Sequence, residues 1–410
     1  MHAHRPFRRT VLACAAALAG CATAGASRAP LGGPSLSPAA EVGAAPAGAP
    51  ALAVERRGPK AYLALCAGAP RRDLAVRLWD GSALAPLGAP LSGAGSCAGA
   101  ALRLDQSGAP VVAVEEQDAA GGARVRVLRW DGRAWQPLGA ELNQEPQERA
   151  EAPALALGPD GALWAAWQES RGDAVLVLVA RHDGTAWRQV GHAVNGSPSP
   201  AGSGAPAIVI EPRGRPVVAW QEAGELAVRV ARHDGDEWRD LGPLHERGAT
   251  GRAPTLALDP AGHVLAAFVL ERGDERTVPV LRWDGRGWGD VGEPLPAGRT
   301  SPAVTRPAIG IDRWGIPAVV VPRGGPSPAL LLARWGGDGW GAPEARLDVE
   351  GGVSPALGVT GDGNLVAAWQ EQPEDPARSR VLWRRGPPPS AAPAAASERP
   401  EPAEAGDEGR

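Results

Sequence analysis

The chain has 410 residues, with 42 lysines and arginines against 46 aspartates and glutamates, for a formal charge of −4. No basic run is dense enough to follow a phosphate backbone, which sets nucleic acid aside as a partner. The 55 glycines and 42 prolines suggest disorder, but 15 tryptophans at regular positions argue against it, since a disordered chain gains little from large apolar side chains.

At the N-terminus, Arg5, Arg8 and Arg9 precede an apolar run from Val11 to Leu18 that is too short to span a bilayer. This is the pattern of an export signal. Leu18-Ala19-Gly20-Cys21 follows directly and resembles the lipobox of bacterial lipoproteins. Over those four residues the resemblance implies cleavage before Cys21, a palmitate-type lipid on Cys21, and a membrane reached through that lipid. Ala22, rather than an aspartate, follows the cysteine, which by likeness to sorted proteobacterial lipoproteins implies the outer membrane. Residues 1–20 are thus expected to be a signal peptide and 21–28 a lipidated anchor and linker. Cys14 would leave with the signal.

From residue 29 to 386 one unit recurs at a period of about fifty residues. Its clearest copy starts at Pro153: Pro-Ala-Leu-Ala-Leu-Gly-Pro-Asp-Gly, then Ala-Leu-Trp-Ala-Ala-Trp-Gln-Glu, then Val175 to Ala180 leading into Arg-His-Asp-Gly, then Ala-Trp-Arg-Gln-Val-Gly. Four short β-type segments, here called A to D, are separated by turn signals and predict one antiparallel blade. The A–B turn is marked by Gly58, Gly108, Gly161, Gly214, Gly262, Gly315 and Gly363. The C–D turn carries Asp-Gly at 80, 131, 183, 234 and 284, with Gly336-Gly337 as the sixth copy. Glycine there supplies the positive φ of a tight hairpin. Three residues later stand Trp135, Trp187, Trp238, Trp288 and Trp340, with Leu84 in the first copy. One blade cannot bury both of its faces alone, so the tryptophans are expected to pack between blades. The expectation is an all-β, seven-bladed propeller of four-stranded antiparallel blades.

The seventh unit runs from Pro355 to about Arg385 and lacks a fourth strand. Ala29-Pro30-Leu31-Gly32-Gly33-Pro34-Ser35-Leu36 copies the fourth strand of the first unit, so an N-terminal strand is expected to close the last blade and remove an open edge. Residues 387–410, rich in proline, alanine and acids, are expected to be disordered.

Antiparallel order puts the A–B and C–D hairpins on one face and the longer B–C and D–A connections on the other, which is where a ligand is expected. On that loop face lie Cys66 and Cys97, either a disulfide or two separate thiols. Glu116, Glu169, Glu222 and Glu371 end B strands there, either as a partial ring for a cation or sugar hydroxyls or as solvated strand ends. The Asp-Gly-x-x-Trp hairpin resembles the Asp-box of sialidase-like propellers. That resemblance implies structural hairpins and, in the family, a tyrosine nucleophile with an arginine triad on the opposite face. Tyr62, the sole tyrosine, falls at the hairpin end of its strand, so sialidase activity is not expected. No Gly-x-Ser-x-Gly, phosphate loop, His-Glu-x-x-His or Cys-x-x-Cys is present, and no metal or cofactor is expected. These readings converge on a non-enzymatic binding or scaffolding module of the cell envelope with a protein or glycan partner. A glycan-binding propeller lectin and a degenerate glycosidase are its rivals.

Overall fold

The computed structural model describes residues 36–386 except 44, 92, 94, 197–202, 223–225, 247, 300–304, 325–327, 342–344, 349–350 and 372–375. The expected signal segment, Cys21, the expected linker, the copy at 29–35 and the tail at 387–410 lie outside the described residues.

The chain forms seven antiparallel sheets in sequence order. In the third blade, Ala150–Leu157, Leu163–Arg171, Ala174–His182 and Trp187–Gln189 pair A-B-C-D. Strand A of each blade contacts strand A of the next, and that of the seventh contacts that of the first, so the ring is closed around its A strands. Each B strand lies between its own A and C strands and is covered on both faces by neighbouring blades. That is why Leu163 to Trp167 reads as an unbroken apolar run, and all five are buried.

The turns follow the expected chemistry. Asp105 Oδ1 accepts the amides of Ser107 (2.8 Å) and Ala109 (2.9 Å) in an A–B turn, and Asp131 Oδ1 accepts those of Arg133 and Ala134 (both 2.8 Å) in a C–D turn. Gly132 beside Asp131 has φ of 101°. The fifth blade departs from the pattern. Its C strand is split into Glu275–Val278 and Val280–Trp283 by Pro279, which has no N–H for the ladder, and an additional strand, Leu295–Arg299, pairs with the first piece.

The repeat tryptophans join blades. The Nε1 of Trp135, Trp187, Trp238 and Trp340 donates to the main-chain oxygen of Leu87 (3.1 Å), Leu138 (2.7 Å), Val190 (3.3 Å) and Val291 (2.7 Å), each the residue that follows the D strand of the preceding blade. Trp288 is the exception, its Nε1 buried without a partner. Each of these indoles also meets the residue opposite it on strand C: Trp130, His182, His233, Trp283 or Trp335.

The N-terminal closure is present over residues 36–42. Ala40 and Glu41 pair with Trp383 and Leu382, Ser37 N donates to Arg385 O (2.7 Å), and Val42 N donates to Val381 O (2.8 Å). Side-chain fit explains this register. Val42 is buried beside Trp383, and Leu36 seats over Gly386, which occupies the slot filled by an aromatic ring in other blades.

Candidate functional site

The four ring glutamates end B strands on the loop face, and each is engaged there by its own protein. Glu116 is held by Arg126, whose Nε lies 3.1 Å from Oε2. Glu169 is fully buried; its Oε2 accepts the amide of Gln144 (2.9 Å) from the preceding D–A connection and the indole of Trp167 (3.1 Å). Glu222 accepts the indole of Trp220 at 3.1 Å. Glu371, also buried, pairs with Arg380 directly across the ladder at 3.1 Å. Opposite charges facing each other across a sheet are an ordinary source of local stability.

A neighbouring acid is not legible from the repeat. In the fifth blade the ring position is Leu270, but Glu271, one residue on, is buried with Arg276 opposite it (Nη2 to Oε1 2.5 Å) and with Arg252 at 3.2 Å. Its signal is the run Glu271-Arg272-Gly273-Asp274-Glu275-Arg276, whose ends are brought together by a tight B–C turn.

The residue just before the ring glutamate has a recurring role, which is to clasp strand A of the next blade. Glu115 Oε2 accepts Ala152 N (2.9 Å), Gln221 Oε1 accepts Ala253 N (3.4 Å), and Gln370 Nε2 donates to Ala47 O (2.8 Å) of the first blade. Ala152 and Ala253 have φ of 53° and 51°, uncommon for a residue with a side chain, at register shifts in their A strands. The turned-out amide is what the clasp receives. In the first blade Cys66 holds this position and is bonded to Cys97 of the second blade, so the covalent alternative is the one realised.

Arg306 precedes Pro307 where Ala152 precedes Pro153, at the start of the sixth A strand. Burial pushes its guanidinium down to about 10, which leaves it charged at neutral pH. The histidines are structural in geometry. His182 and His233 accept Gly184 N and Gly235 N at Nδ1 (both 3.2 Å), His263 meets Asp259 at 2.9 Å, and His245 lies against Phe268. Tyr62 is buried in its B strand. Among the described residues no cluster of three or more His, Cys, Asp or Glu side chains could hold a metal ion.

No protein-family model matches the sequence, and no curated protein is similar to it. Solved structures do share its fold. A protein of unknown function from Dyadobacter fermentans matches with a TM-score of 0.51 at 14% identity, over 85% of this chain and 97% of that one. An α-L-arabinanase of Penicillium chrysogenum in complex with arabinobiose matches at 0.49 and 13%, over 71% and 93%. A Trypanosoma rangeli sialidase with the inhibitor DANA matches at 0.47 and 12%, over 71% and 55%. The likeness is one of fold alone.

Proposed function

We propose that this chain is a lipid-anchored binding or scaffolding propeller of the cell envelope, carried on Cys21 and without enzymatic activity. The observation that carries the non-enzymatic part is the commitment of the loop-face carboxylates to the ring itself. Glu116, Glu371 and Glu271 are neutralised by arginines, and Glu169 is buried under a connecting loop. A glycosidase needs two carboxyl groups facing a shared substrate space. Here these acids are engaged by groups of the ring itself. The indoles that a lectin would stack on sugars are likewise turned between blades, with Nε1 spent on a neighbour's carbonyl. What supports export and anchoring is the order of basic residues, short apolar run and Leu18-Ala19-Gly20-Cys21. The open loop face of a stiff ring is then the surface offered to a partner.

The test compares a soluble form starting at Ala22 in an envelope-protein pull-down and on a glycan array. Retention of one envelope protein supports the proposal, and selective glycan binding moves it to the lectin. Binding to neither overturns both. In the full-length protein, Cys21→Ala should abolish lipid labelling and release the chain from the membrane fraction.

A further inference from the structure

The two ends of the described chain leave the ring at the same place. Ser37 is hydrogen-bonded to Arg385 in both directions, amide to oxygen at 2.7 Å and Arg385 N to Ser37 Oγ at 3.0 Å, and Leu36 covers Gly386. Strand C runs towards the C–D hairpins in every blade, so Gly386 marks the hairpin face, and the N-terminal strand starts from that face. It is also the outermost strand of its blade.

The same face carries a tryptophan that the fold does not use. In the A–B turns the residue before the turn glycine is Arg57, Ser107, Asp160, Arg213, Ala261, Trp314 and Asp362 in successive blades. Trp314 is 42% exposed, the one tryptophan among the described residues that stands open to solvent. Its backbone is rigidly held, because buried Asp312 accepts the amides of Trp314 and Ile316 at 2.9 Å. The guanidinium of Arg313 lies 4.1 Å from the ring centre. An amphipathic indole with a cation beside it, fixed at a turn tip, suits the headgroup layer of a bilayer.

We propose that the ring turns its hairpin face to the bilayer that holds it and presents the loop face outward, with Trp314 and Arg313 touching the headgroups. This rests on the anchoring at Cys21 proposed above. From Cys21 to Leu36 the chain can reach at most ~50 Å when fully extended. A bilayer under the hairpin face is met directly from Leu36. One over the loop face would require the chain to climb back along a whole strand, roughly 25 Å for seven or eight residues, and would cover the connections that are free to bind.

The experiment uses the full lipidated chain in phosphatidylglycerol–phosphatidylethanolamine vesicles doped with a headgroup-quencher lipid. One thiol-linked fluorophore is placed on the hairpin face at Ser82→Cys or on the loop face at Asp173→Cys; both native residues are exposed. Co-flotation with the vesicles reads the anchor, and the quenching ratio reads the orientation. Quenching several-fold stronger at position 82 than at 173 supports the proposal, and equal or reversed quenching overturns it. Trp314→Ala, an exposed change that leaves folding intact, should lower the quenching at 82 while co-flotation persists; no change removes Trp314 from the contact. Failure to float overturns the anchor and the orientation together.

Discussion

Cys66 of the first blade is bonded to Cys97 of the second, with 5.3 Å between their α-carbons, from the strand-B position at which Glu115 of the second blade accepts Ala152 N of the third. One position of strand B therefore secures the next blade in several copies, by a covalent bond or by a hydrogen bond. Closing a loop of 31 residues is worth about 3–4 kcal/mol in the chain-entropy treatment. Cys97→Ser should lower the unfolding free energy by roughly that amount. Urea titrations with and without reductant check it: reductant should shift the midpoint of the native chain and leave the variant's unchanged.

The indole clasps between blades make a second, graded prediction. Trp187→Phe leaves the oxygen of Leu138 without its donor and should cost about 1 kcal/mol beyond the lost ring area. Trp288→Phe should cost less, because its Nε1 has no partner to lose. Equal shifts in the denaturation midpoints of the two variants would show that the hydrogen bond contributes nothing.

Glycine 292 shows how closely the blades approach. It has φ of 71°, and a β-carbon there would stand 2.7 Å from Cζ3 of Trp335 in the next blade. Gly132 has φ of 101° with open space around it. Gly132→Ala should therefore cost only the left-handed backbone, about 1–2 kcal/mol, and Gly292→Ala that amount plus an overpacking cost of about 1–3 kcal/mol. Thermal unfolding of the two variants separates the contributions.

Much of this is legible in the sequence because the repeat is local. Turn glycines, Asp-Gly hairpins and the tryptophan three residues later fix strands and blade number within one unit. The contacts between units are not legible. Nothing in the string tells Glu115 from Glu116, yet one reaches the next blade and the other pairs with Arg126 of its own. Glu271 escapes because it sits one residue beyond the ring position, and only the tight turn brings Arg276 opposite. That an N-terminal strand closes the last blade is legible from the missing fourth strand, whereas its register at 36–42 is not, since it follows the burial of Val42 and the seat of Leu36 over Gly386. Lipidation at Cys21 stays an expectation of the sequence alone.

Acid should weaken two blades in particular. Burial pushes the imidazoles of His182 and His233 below their ordinary value of 6.5, and each Nδ1 accepts a glycine amide, which only an unprotonated nitrogen can do. The unfolded chain thus takes up these protons at higher pH than the folded one. Their contribution is fully present above about 6.5 and is lost as the pH falls from there through the lower folded-state values. Asp80 behaves likewise at lower pH. The amide of Ala83, with the amide and hydroxyl of Ser82, holds its carboxyl down at about 2, so its contribution is lost only between the usual carboxylate range and that value. Melting temperatures from pH 8 to 5 should fall for the native chain. The fall should be smaller for His182→Trp and His233→Trp, which install the residue found at Trp130, Trp283 and Trp335.

The seam between the last and first blades lacks a tryptophan clasp, since Leu84 stands where blades two to six carry the indole. The N-terminal strand and a separate contact, Trp79 against Trp383 at 5.0 Å with Arg385 over Trp79 at 4.1 Å, hold it instead. Deleting residues 36–42 would remove the amides of Ser37 and Val42 and the burial of Val42, and would leave strand C of the seventh blade as an open edge. Because each blade is covered by its neighbours, that loss should spread around the ring and lower the melting temperature of the whole domain in one transition, with added self-association through the freed edge. Differential scanning calorimetry with light scattering checks the deletion, and native-like melting would refute the closure.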